Sequence, residues 1–253
     1  MKIEALIFDV DGTLVDTEEL HRQAFLAAFY AFDLRWDWGP HTYMQLLHIS
    51  GGKERIAAYI DSRDEPAAEK ARLKRLAPRI HAEKTRVYRE LLGSGAAPLR
   101  PGVGRLMREA HAAGVRLAVV ATTHTANVKA LLCRGLGPEA FGWIEAFVGG
   151  DQVARRKPHP ETYERALAAL ELPAQRCIAF EDSENGLLSA KAAGLCAVVT
   201  PSRWTMPHDF PGADLLVPSL GDPGAAEDPV VQRRTGEPYL TLPVIARLHA
   251  ARV

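Results

Sequence analysis

Two carboxylates two residues apart, Asp9 and Asp11, follow the short apolar run Ile3–Phe8, with Gly12, Thr13 and Leu14 next in the chain. Where a buried strand ends, such a pair can offer one oxygen as a nucleophile and another as an acid or base to the same substrate. Asp and Gly are also ordinary loop residues at strand ends, so this pair alone does not decide the chemistry. A second acidic pair, Glu181-Asp182, closes the apolar run Cys177–Phe180 and precedes Ser183 and a helical stretch. Asp and Ser favour helix N-caps as well. If the two runs are neighbouring strands, four carboxyl groups converge at one sheet edge, and that density of negative charge is costly without a cation. Ligands that are all hard oxygens favour Mg²⁺. Thr122 and Thr123 follow an apolar run ending at Ala121, where hydroxyls and backbone N–H groups can bind phosphate oxygens or simply cap a helix. Lys157, in Arg155-Arg156-Lys157-Pro158-His159-Pro160, is either part of a solvated basic turn or the cation that balances the aspartates and a transferring phosphoryl group.

These residues need a scaffold that brings strand ends together. The runs Ile3–Phe8 and Val115–Ala121 are short, apolar and bounded by turn residues, as strands buried on both faces are. An Ala-rich helical stretch, Gly104–Ala113, precedes the second run and is closed by Gly114. The alternation then continues with helix Ala126–Arg134, strand Ile144–Val148, helix Pro160–Leu170, strand Cys177–Phe180, helix Asn185–Ala193 and strand Cys196–Thr200. Such a pattern predicts an α/β fold, a Rossmann-like doubly wound parallel sheet. Residues 17–92 differ, with many charges and helical periodicity over Leu20–Phe32 and Ala67–Leu92, and they read as an inserted α-helical cap domain. The expected organisation is a core of 1–16 and 93–220, a cap of 17–92, and a tail of 221–253. The tail is rich in Gly, Pro and Asp, with a weakly amphipathic stretch near Leu242–Leu248, and its structure stays open.

At 253 residues, 47% of them apolar, the chain can bury a substantial core. Lys and Arg equal Asp and Glu at 31 each, which argues against a protein built to hold nucleic acid or an anionic membrane. Cys133, Cys177 and Cys196 form no CxxC pair and read as free thiols of a reducing compartment. No charged leader with a cleavage site is evident, and no apolar stretch approaches ~18 residues. A cytoplasmic monomer acting on a small molecule is expected.

Taken together and in this order, Asp9/Asp11, Thr122, Lys157 and Glu181/Asp182 resemble the four motifs of the haloacid dehalogenase-like superfamily. A helical insert directly after the first motif resembles the subgroup containing β-phosphoglucomutase. The resemblance implies that Asp9 attacks phosphorus while Asp11 protonates the leaving oxygen and then activates water. Thr122 and Lys157 would hold the phosphoryl group. Asp9, the backbone carbonyl of Asp11, Asp182 and Glu181 would surround Mg²⁺. More narrowly, Thr17-Glu18-Glu19-Leu20-His21, Gly51-Gly52-Lys53-Glu54-Arg55 and Thr122-Thr123-His124-Thr125 with Asn127 look like the CbbY-type xylulose-1,5-bisphosphate phosphatases linked to Rubisco. That likeness implies sugar bisphosphate contacts from Glu18, His21, Gly51, Gly52, Lys53, Arg55, Thr123, His124 and Thr125. Chemically, two glycines followed by Lys53 and Arg55 can cradle a second phosphate, or can form an interhelical turn with solvated helix residues. His124 stands where the family usually has a third Thr. Trp36, Trp38 and Tyr43 read as cap core. The rival readings are a mutase, a dehalogenase and a sugar-phosphate sensor without catalysis.

Overall fold

The computed structural model describes residues 2–94, 97–121, 125–225 and 228–251. Two compact units divide the chain, Met1–Asp16 with Pro98–Val253, and Thr17–Ala97.

In the first unit the apolar runs become strands β1 (Ala5–Asp9), β2 (Arg116–Val120), β3 (Ile144–Val148), β4 (Cys177–Glu181), β5 (Cys196–Val199) and β6 (Leu215–Leu216). They form one sheet in the order β3-β2-β1-β4-β5-β6, parallel throughout. All five residues of β1 are buried, as are all five of β4, which is why both sequences are unbroken apolar runs up to their acidic ends. The chain leaves β1 toward one neighbour and returns later on the other side, so β1 lies at the point where strand order reverses. Open α/β sheets bind ligands there, beyond the carboxyl ends of the strands. Phe8 pairs with Phe180 across β1 and β4 and stacks on it with ring centroids 4.4 Å apart. This register places Asp9 and Glu181 side by side as the last residues of adjacent strands.

The flanking helices are α5 (Val103–Ala112), α6 (Thr125–Leu136), α7 (Glu161–Leu170) and α8 (Glu184–Ala192). α5 turns Val103, Leu106, Met107 and Ala110 inward at three- and four-residue spacing. α8 is capped by Ser183, whose Oγ accepts the Gly186 N–H at 3.2 Å. The tail closes onto this unit through α9 (Pro229–Thr235) and α10 (Leu242–Ala250), with Asp228 and Thr241 as side-chain N-caps and Pro inside each first turn. Arg105 of α5 anchors it, donating to the carbonyls of Gly221 at 2.8 Å and Leu240 at 2.7 Å, with its guanidinium over the Tyr239 ring.

The second unit is all helical, with α1 (Glu18–Ala31), α2 (Pro40–Leu46), α3 (Gly52–Ser62) and α4 (Ala67–Gly93). It reaches Ala97, beyond the boundary at 92 expected from the sequence pattern, and α4 ends at Gly93. Its core is aromatic. Phe25, Phe29, Trp36, Trp38 and Tyr43 are buried and pack edge-on or tilted against one another, so the tryptophans serve packing. Of the three free cysteines, Cys177 is buried and Cys133 and Cys196 are half-buried. No helix among the described residues is long and apolar enough to cross a membrane.

Candidate active site

Asp9 ends the central strand and is almost fully buried. Lys157, equally buried, places its Nζ 2.6 Å from Asp9 Oδ1 and 2.5 Å from Glu181 Oε1, so one ammonium joins the acidic ends of β1 and β4. Tyr163, in the first turn of α7, donates its hydroxyl to the same Glu181 oxygen at 2.6 Å. Asp182 follows directly, and its Oδ2 accepts a hydrogen bond from Thr205 at 2.8 Å. Oxygens of Asp9, Glu181 and Asp182 all lie within 4.8 Å of one another.

The loop after β1 shapes the approach. Gly12 N–H donates to Val15 O at 2.8 Å and Leu14 N–H to Val10 O at 3.0 Å, winding Val10–Val15 into a tight turn. Asp11 sits in that turn, half-buried and bridged to Val15, outside the cluster of three carboxylates. Gly12 has φ +85°, and a Cβ there would overlap the Asp182 carboxylate, so conformation and space both demand glycine. Gly186 in α8 is constrained by space alone, since a Cβ would overlap the carboxylate of Glu181.

Three buried carboxylates gather around the Lys157 ammonium, and the crowding is visible in the acidity of Asp9. Burial pushes the Asp9 carboxyl well above its ordinary value, Glu181 and Asp182 add to the push, and Lys157 opposes it. Lys157 itself is held charged, because the attraction of Asp9 and Glu181 outweighs its own burial. Tyr163 is driven up by burial and by the Glu181 carboxylate, which keeps its hydroxyl a neutral donor. Glu181 Oε2 is buried and accepts no hydrogen bond among the described residues. A surplus of buried negative charge, an unsatisfied carboxylate oxygen and a donor set without His or Cys fit a hard divalent cation.

Other expected site residues sit as follows. Thr122, Thr123 and His124 lie outside the described residues, as does the side chain of Thr125, whose backbone opens α6. In the second unit, Glu18 accepts the Tyr43 hydroxyl at 2.8 Å, and Arg55 Nη1 donates to that hydroxyl at 3.2 Å. Arg55 also donates to the carbonyls of Leu46 at 3.0 Å and Ile49 at 3.2 Å, so it braces the chain between α2 and α3. Three of its nitrogens thus face the protein, which leaves less of the guanidinium for a phosphate than the sequence pattern suggests. Gly51 has φ +96°, Gly52 opens α3, and Lys53 is exposed in its first turn. His21 stacks on Tyr88 at 4.0 Å and meets the buried Lys84 Nζ through Nδ1 at 2.6 Å.

The sequence reading missed Tyr163, Thr205, Gly186 and Arg100. Arg100 Nη1 bonds Gly12 O and Thr200 O at 2.5 Å each, and Nη2 reaches Pro201 O at 2.9 Å, tying the Asp9 loop to the end of β5. Gly186 carried a signal, since glycine inside a helix usually has a packing reason. Thr205 and Arg100 carried none, because their partners are remote in sequence.

A family model described as haloacid dehalogenase-like hydrolase matches residues 3–194. The chain belongs to the haloacid dehalogenase-like hydrolases. As a member of this family it is an enzyme, a phosphoric monoester hydrolase. It is 46% identical over 221 residues to the plasmid protein CbbY of Cupriavidus necator, covering 87% of each chain. It is 33% identical to a phosphorylated carbohydrates phosphatase of Thermotoga maritima, over 76% of this chain and 82% of that one. Among solved structures it resembles a variant of CbbY from Rhodobacter sphaeroides in complex with xylulose-(1,5)bisphosphate. There the TM-score is 0.78 at 43% identity, over 88% of this chain and 96% of that chain.

Proposed function

We propose that this hydrolase is a Mg²⁺-dependent sugar-phosphate phosphatase that converts xylulose 1,5-bisphosphate to xylulose 5-phosphate through a phospho-aspartate on Asp9. The observation that carries the reading is the triad of Asp9, Lys157 and Glu181 at the switch point of a chain 43% identical to a protein crystallised with that bisphosphate. An Asp9 oxygen forms a bond to phosphorus while the bond from phosphorus to the sugar oxygen breaks, and Asp11 gives that oxygen its proton. Asp11, now a carboxylate, takes a proton from water, whose oxygen attacks phosphorus and frees Asp9 with release of phosphate. Lys157 is aligned on the attacking carboxylate and offers positive charge where the phosphoryl oxygens gather, the main catalytic requirement of such transfers. Thr122 is assigned to those same oxygens. Asp9, Asp182, Glu181 and the Asp11 carbonyl are the groups to hold Mg²⁺, which when bound supplies charge neutralisation to the phosphoryl group.

In the second unit, Glu18, His21, the Gly51–Arg55 segment and, in the first, Thr123–Thr125 are assigned to the sugar and its second phosphate. Lys53 carries most of the case for that phosphate, since Arg55 is partly engaged by the chain. A monomer is proposed with this reading, and three free thiols support a reducing cytoplasm.

A phosphate-release screen of sugar mono- and bisphosphates tests the assignment, with isomerisation of β-glucose 1-phosphate followed in parallel. One charge-assisted bond to the second phosphate is worth about 1.5–3 kcal/mol, so kcat/KM for the bisphosphate should exceed that for xylulose 5-phosphate by roughly 10–100-fold. Equal values remove the substrate assignment, and isomerisation outpacing release makes the enzyme a mutase. Asp9→Asn should abolish turnover with the fold intact; residual turnover in the purified variant places the nucleophile elsewhere.

A further inference from the structure

The loop after β5 contributes a directed hydrogen-bond chain that ends on Asp182. Trp204 N–H donates to Ser202 Oγ at 3.3 Å, and Ser202 Oγ lies 3.0 Å from Thr205 Oγ1. Ser202 N–H also donates to Thr205 Oγ1, at 2.9 Å. Thr205 Oγ1 in turn lies 2.8 Å from Asp182 Oδ2. All four residues are buried. An ionised carboxylate only accepts, so the single Thr205 hydroxyl proton points at Asp182, and the Ser202 hydroxyl proton is the one shared toward Thr205. Every donor therefore points the same way, toward the carboxylate. Backbone bonds from Thr205 N–H and Met206 N–H to Ser202 O, at 3.1 and 2.9 Å, hold the loop in this shape. Gly12 lacks the Cβ that would collide with the same Asp182 oxygen.

We propose that Ser202 and Thr205 are positioning residues for the cation site, fixing the rotation of the Asp182 carboxylate so that its oxygens meet Mg²⁺ without rearrangement. This rests on the reading of Asp182 as a Mg²⁺ ligand. Outer groups that hydrogen-bond to ligating carboxylates commonly change metal affinity by about 10–100-fold when removed. Thr205→Val keeps the shape and the branched Cβ but removes the donor. Thr205→Ser keeps the donor.

Calorimetric titration of the full chain with MgCl₂ tests this, with near-ultraviolet circular dichroism to check folding. Thr205→Val should raise the Mg²⁺ dissociation constant at least ~10-fold, and Thr205→Ser should restore it to within about threefold of wild type. At saturating Mg²⁺ the kcat of Thr205→Val should return close to wild type, so the defect appears in the Mg²⁺ dependence. Asp182→Asn serves as the reference. If Asp182→Asn weakens Mg²⁺ binding while Thr205→Val binds as wild type does, the positioning role is overturned and the metal site stands. If Asp182→Asn binds Mg²⁺ normally, the metal site itself falls. Should Thr205→Val fail to fold, Ser202→Ala replaces it, with a severalfold weaker Mg²⁺ affinity as the supporting result and unchanged affinity as the refuting one.

Discussion

Gly186→Ala sets two well-defined effects against each other. Gly186 is inside α8, where replacing glycine with alanine should favour the helix by ~1 kcal/mol. The new methyl would, however, overlap the Glu181 carboxylate, which is fully buried and anchored through Oε1 by both Lys157 and Tyr163. Unlike a surface side chain, Glu181 cannot swing away without abandoning those bonds. Breaking a buried, hydrogen-bonded charge pair costs about 3–5 kcal/mol, so the net effect should be destabilisation by ~2–4 kcal/mol. For a chain of this size that corresponds to a fall in Tm of about 4–16 °C. Urea unfolding of a double-mutant cycle isolates the cause. In a Glu181→Ala background the three atoms nearest the new methyl are gone, and the same Gly186→Ala change should stabilise the protein by up to ~1 kcal/mol. If Gly186→Ala stabilises the otherwise wild-type chain, or destabilises both backgrounds equally, the steric argument is wrong.

Acidity gives a second test. Because burial raises the folded-state value of Asp9, the folded chain releases this proton at a higher pH than the unfolded chain, which releases it near pH ~4. That contribution is full below pH ~4 and is lost as pH rises through the folded value, so in chelator Asp9→Asn should gain stability relative to wild type as pH rises above ~4. Urea midpoints across that range should show a rising difference, and saturating Mg²⁺ should reduce it by stabilising wild type; a flat difference refutes the assignment. Arg100→Met removes a guanidinium that bonds the carbonyls of Gly12, Thr200 and Pro201, and should cost about 2–4 kcal/mol in urea unfolding with faster amide exchange around Gly12. Loss of less than ~0.5 kcal/mol would mean that the cross-link is incidental.

The sheet was legible because strands buried on both faces leave a plain mark. Ala5–Phe8, Leu117–Val120 and Cys177–Phe180 are unbroken apolar runs, and Asp9 and Glu181 stand out as charges at their ends. The lysine partner was anticipated from its type and its place before a helix. Tyr163 was not, because a tyrosine in a helical first turn looks like any amphipathic core residue until its hydroxyl has a partner. Thr205 is one polar residue in a loop, and only the fold brings it to Asp182. In the helical insert, α2 and α3 are short and separated by a turn at Gly51, so periodicity had too few repeats to reveal them. The tail hid α9 in a similar way and showed α10 only as a weakly amphipathic stretch. Asp228 before Pro229 and Thr241 before Leu242-Pro243 are sound start signals, but the surrounding Gly and Pro masked them.

The main-chain pairing near the start of the insert has a broader consequence. Val15 bridges Leu99 in antiparallel fashion and Arg100 N–H donates to Leu14 O at 2.9 Å, so the polypeptide exits and re-enters the core at a single narrow doorway. What hangs outside that doorway can be lengthened, shortened or exchanged over generations while the strand ends keep their register. A lineage built this way can remodel the helical insert and leave the acidic ends of β1 and β4 undisturbed.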